Sequence, residues 1–119
     1  MRGPTALHHD LLTSVAEYAG ADWRWLQLEV ENSPNRACRE MDIQEFFPAD
    51  GARFFGQALQ NERDRVAALC HSCPVRRECL AGALLRGETY GSWGGVAQPD
   101  YQILQRMWRE QALSRKGAA

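Results

Sequence analysis

Cys70-His71-Ser72-Cys73-Pro74-Val75-Arg76-Arg77-Glu78-Cys79 places three cysteines within ten positions, and a fourth, Cys38, precedes Cys70 with thirty-one residues between them. In a reducing compartment such residues seldom pair as structural disulfides, so metal or redox chemistry is the better reading. Thiolate sulfur suits both zinc and iron–sulfur clusters. A single zinc ion draws its sulfurs to about 2.3 Å and usually recruits them as two short pairs; here only Cys70 and Cys73 form one. Cys73 and Cys79 are six residues apart, about 9 Å along a helix at 1.5 Å per residue. A [4Fe–4S] cube is broad enough for that separation and takes four thiolates. Cys38, Cys70, Cys73 and Cys79 are therefore read as ligands of one [4Fe–4S] cluster, with a zinc-stabilised four-cysteine module that binds DNA or protein as the alternative.

The flanking residues supply the local field. Ser72-Cys73-Pro74 predicts a helix start with proline at its first position, where a missing N–H costs nothing. Cys73 would then lie at a helix N-terminus, where free N–H groups favour a thiolate. Arg76 and Arg77 add positive charge, and His71 is read as an exposed bystander.

Outward from this stretch the apolar spacing is helical. Leu59, Val66, Ala67 and Leu69 predict a helix over about 57–69 that delivers Cys70 at its end, with Glu62, Arg63, Asp64 and Arg65 facing water. A second helix runs from about Pro74 to Arg86 and stops at Gly87. Tyr90-Gly91-Ser92-Trp93-Gly94-Gly95 predicts a tight turn with positive φ angles, and Asp100 caps a helix to about Ser114. Leu7, Leu11, Val15 and Tyr18 predict an amphipathic helix within 7–31, interrupted near Gly20. Asp42 and Glu45 resemble a capping box that opens a short turn closed by Phe46-Phe47-Pro48. The expected fold is all-α: a small bundle of four to five helices wrapped around the four-cysteine [4Fe–4S] cluster, with a glycine-rich turn.

Length and composition bound the rest. A chain of 119 residues with 45% apolar content suits one compact domain. No signal peptide is visible, and no uncharged apolar run reaches the roughly 20 residues that span a bilayer. A cytoplasmic protein without membrane attachment is expected. Residues 1–50 carry nine acids and four bases, residues 51–119 six acids and ten bases, an asymmetry that could orient the molecule near DNA or an acidic partner and that reads at least as well as the ordinary mixed-sign solvated face of a small domain.

Together, Asp22-Trp23-Arg24, Ala37-Cys38-Arg39, Phe46-Phe47-Pro48, Cys70-His71-Ser72-Cys73-Pro74-Val75, Glu78-Cys79-Leu80 and Gly91-Ser92-Trp93-Gly94-Gly95-Val96 resemble the WhiB-like proteins of actinobacteria and their phages. The resemblance runs from about residue 22 to residue 112. It implies a [4Fe–4S] transcription factor that responds to nitric oxide or oxygen and binds the C-terminal domain of the primary sigma factor within RNA polymerase holoenzyme. By position, Trp93 with Gly94 and Gly95 resembles the family's cluster-side turn at the sigma interface. Phe46 and Phe47 resemble its inserting aromatic pair, and Trp23 is a third anchor. The residues alone leave a Phe-Phe-Pro turn equally readable as satellite core.

The chain departs from the family pattern at Ser92, where an aliphatic residue is usual and looser packing is expected, and in a longer stretch from Trp25 to Arg36. Its tail is weakly basic: Arg106, Arg109, Arg115 and Lys116 oppose Asp100 and Glu110. Few bases predict weak autonomous DNA binding, so these four are expected to reach promoter phosphates near the −35 region only once the protein is on sigma. The expected organisation is an N-terminal extension at 1–21, a cluster-binding domain at 22–98, and a C-terminal helix and tail at 99–119, acting as a monomer. Catalysis is not expected. The family has been credited with dithiol–disulfide reductase activity, and cluster loss would free Cys70 and Cys73 to form a disulfide, but a thioredoxin-type site sits in a βαβ context that this sequence lacks.

Overall fold

A computed structural model describes residues 3–49 and 52–118, with the side chains at 37, 40 and 115–118 outside the description. Five α-helices make up the framework: α1 (Ala6–Ser14), α2 (Trp23–Glu31), α3 (Gly56–Leu69), α4 (Arg76–Arg86) and α5 (Gln98–Ala118). Single 3-10 turns occupy Ala16–Tyr18, Ala37–Glu40 and Ile43–Phe46. Among the described residues there is no β-strand, only an isolated bridge between Trp93 and Val96, and no helix is long and apolar enough to cross a membrane. The expected small all-α fold is what forms.

The core is built where α2 lies along α4 and α1 along α5, with α4 meeting α5 between them. Leu26, Leu80, Leu84, Tyr101 and Leu104 are each no more than 3% exposed. Small residues on α4 permit the close approach: a methyl group at Gly82 would stand 3.8 Å from the Leu26 Cβ. Leu12 and Val15 from the N-terminal segment are buried in this same core. Fully burying one such aliphatic side chain is worth about 1.5–3 kcal/mol, so residues 6–15 contribute directly to the packing.

Local chemistry explains the boundaries. Asp22 caps α2 by accepting from the Arg24 N–H at 2.9 Å, as a short carboxylate does at a helix start. Gly87 ends α4 in the left-handed region at φ 77°, where a residue without Cβ is unstrained. Four expectations need correction. The N-terminal helix breaks at Val15, before Gly20, because the backbone tightens into the 3-10 turn. α4 begins at Arg76, and the residues from Pro74 to Val75 form a turn, so Cys73 precedes the helix instead of capping it. Asp100 lies inside the first turn of α5, which starts at Gln98. Glu62 and Arg63 do not face water: Glu62 is buried and pairs with Arg65 at 2.8 Å, while Arg63 turns to Asp100.

That last contact anchors the N-terminal segment. Arg63 grips Asp100 through Nε–Oδ2 and Nη2–Oδ1 contacts of 2.8 Å each. His8, 2% exposed, meets the same carboxylate through Nε2 at 2.8 Å. Its Nδ1 accepts from the Thr5 backbone N–H at 2.9 Å, which leaves Nε2 to carry the proton donated to Asp100. Burial alone would raise the Asp100 pKa, but the Arg63 and His8 hydrogen bonds outweigh it and hold the carboxyl below its usual range. A second tie joins the cysteine-bearing helix to the segment, where Arg77 donates to the Ser14 carbonyl at 2.9 Å and pairs with Glu17.

Candidate metal centre

Four segments bring the cysteines together. Cys38 sits in the 3-10 turn Ala37–Glu40, Cys70 is the C-cap of α3, Cys73 follows in the turn between helices, and Cys79 lies one turn into α4 with its N–H donating to the Val75 carbonyl at 2.9 Å. The Cys73 N–H donates to the Cys70 carbonyl at 3.1 Å, a tight C-x2-C turn. All four are half-buried free thiols.

The glycine turn closes over them. Gly91, Gly94 and Gly95 have φ angles of 98°, 59° and 85°, the positive values its composition predicted. Trp93 and Val96 exchange N–H to carbonyl bonds of 3.1 and 3.0 Å, which rolls Gly94 and Gly95 toward the cysteines. The Gly94 N–H is directed at the Cys79 sulfur and the Gly95 N–H at the Cys70 sulfur, each favouring the thiolate. Close approach requires glycine at 94, where a Cβ would lie 2.3 Å from the Arg76 carbonyl oxygen, while at Gly95 the positive φ sets the preference and a Cβ would only touch the Cys70 Cβ at 3.4 Å.

Electrostatics couples Cys70 and Cys79 to the other sulfurs. Burial pushes the Cys79 thiol up to about 12, with Cys70, Cys38 and Cys73 adding to the rise and the Gly94 N–H opposing it. Burial likewise raises Cys70, reinforced by Cys73 and Cys38 and opposed by the Gly95 N–H and Arg76. Neutral thiols are thus favoured in this protein environment alone, and a bound cation would reverse that preference. Among the described residues no three His, Cys, Asp or Glu side chains are gathered tightly enough to hold a single metal ion. The donor set is four soft sulfurs that act on one another electrostatically, with two backbone N–H groups directed at them.

Two further polar groups border the set. The Arg36 Nη1 lies 3.6 Å from the Cys38 sulfur, and its Nε is buried with no hydrogen-bond partner. Glu78, next to Cys79, accepts from the Tyr18 hydroxyl at 3.3 Å through Oε1, and its Oε2 is also buried without a partner.

On the outer side of the glycine turn the predicted aromatics divide. The Ser92 N–H donates to the Phe46 carbonyl at 2.7 Å, and the Phe47 ring meets Trp93 edge-on, with centroids 6.1 Å apart and planes at 85°. Trp93 is steadied by its Nε1 donating to the Tyr90 carbonyl at 2.8 Å, by Tyr101 at 6.3 Å and by the Arg86 guanidinium 5.4 Å above the ring. Phe47 remains 38% exposed. Trp23 begins α2 under the Arg24 guanidinium and, among the described residues, takes no part in the Phe47–Trp93 pair. Ser92 is 3% exposed, and its Oγ accepts from the Gln98 N–H at 3.0 Å. The hydroxyl thus satisfies a free amide at the start of α5 instead of loosening the packing.

Arg106 and Arg109, from the expected DNA-binding set, line a groove of about 1120 Å³ together with Arg53, Arg63, Phe55 and Tyr90. The side chains of Arg115 and Lys116 lie outside the described residues. Sequence reasoning missed Gln98, whose Oε1 takes the Gly91 N–H at 2.7 Å, and Tyr101, whose hydroxyl donates to the Glu88 carbonyl at 2.5 Å. Neither carries a motif; each matters because of what folds back onto it. Asp100 was visible only as a capping residue, and its partners His8 and Arg63 are 92 and 37 residues away.

Comparison with known proteins places this geometry in a family. The family description Transcription factor WhiB matches residues 33–104, a span holding all four cysteines and the glycine turn. The chain is similar to the Redox-responsive transcriptional regulator WhiB3 of Mycolicibacterium smegmatis, 40% identical over 67 residues that cover 56% of this chain and 68% of that protein. Similarity to the Redox- and pH-responsive transcriptional regulator WhiB3 of Mycobacterium tuberculosis is 38% over 82 residues, covering 69% and 72%. Similarity to the Transcriptional regulator WhiD of Streptomyces coelicolor is 33% over 97 residues, covering 82% and 79%.

Proposed function

We propose that this chain, which belongs to the WhiB family of transcription factors, is a cytoplasmic, non-enzymatic, redox-responsive regulator. It would bind the C-terminal domain of the primary sigma factor through the surface around Phe47 and Trp93. Cys38, Cys70, Cys73 and Cys79 would hold a [4Fe–4S] cluster, which when bound supplies a centre sensitive to redox state and nitric oxide. The donor set suits that group. The thiols act on one another electrostatically, and the six-residue step from Cys73 to Cys79, long for one tetrahedral ion, favours a cluster over the zinc alternative. Backbone N–H groups at the sulfurs are among the features that tune iron–sulfur centres.

One observation carries the reading: the glycine turn faces both ways. The Gly94 and Gly95 N–H groups are directed at Cys79 and Cys70, while Trp93 between Ser92 and Gly94 packs on Phe47. When the four cysteines are tied together, the turn is seated and the two rings form one rigid, partly exposed aromatic platform, of the kind that anchors protein interfaces. When they are released, the turn loses its inner support and the platform loosens with it. Redox state would in this way set affinity for sigma. Arg106 and Arg109, with Arg115 and Lys116 beyond them, would then meet promoter phosphates once the protein is docked.

The test is an oxygen-free preparation assayed for iron and sulfide, followed by capture on the sigma C-terminal domain before and after cluster removal. About four irons per chain, and capture that falls on removal, are expected. Folded protein with no iron or sulfide, or with one zinc, would sink the reading. So would capture indifferent to the cluster.

A further inference from the structure

Arg36 ends the loop before the first cysteine. It is the N-cap of the 3-10 turn Ala37–Glu40, with φ −79° and ψ 122°, and its side chain folds forward over Cys38 so that Nη1 lies 3.6 Å from the sulfur. The guanidinium is permanently charged and donor-only. Among the described residues no carboxylate pairs with it, and its Nε–H is buried with no acceptor. A buried N–H without a partner is uncommon, and where one occurs something outside the protein atoms commonly satisfies it. The neighbouring groups that can accept are sulfurs.

Resting on the cluster reading above, we infer that Arg36 is a positioning and tuning residue for the iron–sulfur centre: Nη1 donates to the Cys38 thiolate, and Nε donates to sulfur of the cluster itself. Arg36 differs from the glycine N–H groups in bringing a full positive charge. One-electron reduction adds one negative charge to the cluster with its four thiolates, so a guanidinium at hydrogen-bond range stabilises the reduced form more than the oxidised one and raises the potential. It also holds the Cys38 thiolate in place. Cys38 is the ligand most remote along the chain, thirty-two positions before Cys70, and the Arg36 Nη1 is the donor at its sulfur.

The measurement is a dithionite titration of the anaerobically purified wild type, Arg36→Gln and Arg36→Lys, followed by the decay of cluster absorbance in air. Iron per chain and melting temperature are recorded alongside. Arg36→Gln is expected to load iron but to lower the reduced-to-oxidised ratio at fixed potential about tenfold, a shift of about 59 mV for one electron, and to lose its cluster several-fold faster. Arg36→Lys, which keeps the charge without the planar fork, should fall between. If Arg36→Gln loads no iron, the potential of Arg36→Lys decides alone. A loaded wild type whose potential and decay rate are matched by the variants overturns this inference and leaves the cluster reading standing. A wild type without iron and sulfide overturns both.

Discussion

The backbone N–H of Ser92 donates to the Phe46 carbonyl across 2.7 Å, tying the loop after the first cysteine to the glycine turn that faces Cys70 and Cys79. Two segments forty-six residues apart thereby become one surface, and the Phe47 and Trp93 rings meet on it edge-on. Perturbing either side should be felt on the other.

The glycines of the chain are not equivalent, and alanine should reveal it. At Gly87, φ is 77° with open space around the missing Cβ, so Gly87→Ala should cost only about 1–2 kcal/mol, that of a left-handed alanine. At Gly94, φ is 59° and the Cβ would lie 2.3 Å from the Arg76 carbonyl oxygen. Gly94→Ala must move the turn off Cys79, with a larger loss of melting temperature and a fall in iron per chain. Equal melting shifts in the two variants would refute the close-approach argument.

Stability should fall on the acid side through Asp100. Its carboxyl is held below the usual range by Arg63 and His8 against the cost of burial. The contribution is therefore complete above the ordinary carboxylate value of about 3.9 and is lost as pH drops below it toward the lower folded value. Asp100→Asn should cost about 2–3 kcal/mol near neutrality, less than the roughly 3–5 of a fully buried pair because Arg63 is partly exposed. The gap between wild type and variant in thermal melts should narrow below about pH 4. A gap independent of pH would count against the clasp.

Truncating the aromatic platform should separate binding from folding. Phe47 is 38% exposed, so Phe47→Ala should change the melting temperature little yet weaken capture of the sigma domain about tenfold, or about 1.4 kcal/mol. Isothermal titration against the isolated sigma domain is the check, and unchanged affinity would move the interface elsewhere.

Charge in the groove beside α5 should appear as salt dependence. If Arg106 and Arg109 each neutralise one phosphate in the sigma-bound complex, Arg106→Gln with Arg109→Gln should flatten the log–log salt slope of promoter binding by about 1.8. An unaltered slope would remove these two residues from the DNA contact.

Much of the site was readable in the chain because its signals are local. The C-x2-C-x5-C spacing picks out the candidate ligands, and Gly91, Gly94 and Gly95 announce positive φ through their lack of a side chain. Gly87 marks a helix end for the same reason. Local rules failed where a distant partner changed the outcome. Arg63 and Glu62 look like solvated charges on a helix until Asp100 and Arg65 claim them, and Ser92 looks like a packing defect until the start of α5 supplies an N–H for it to accept.

What the amino-acid order determined by itself is the list of sulfurs, the helices and the turn, since each depends on backbone preferences and spacings within a few residues. Only the tertiary structure decided that Gly94 and Gly95 aim their N–H groups at Cys79 and Cys70, that Phe47 closes on Trp93, that His8 reaches Asp100, and that Arg36 buries a donor beside Cys38. All but the last are contacts between segments remote along the chain, and their geometry follows from how the helices pack in the core, which no short stretch of residues encodes.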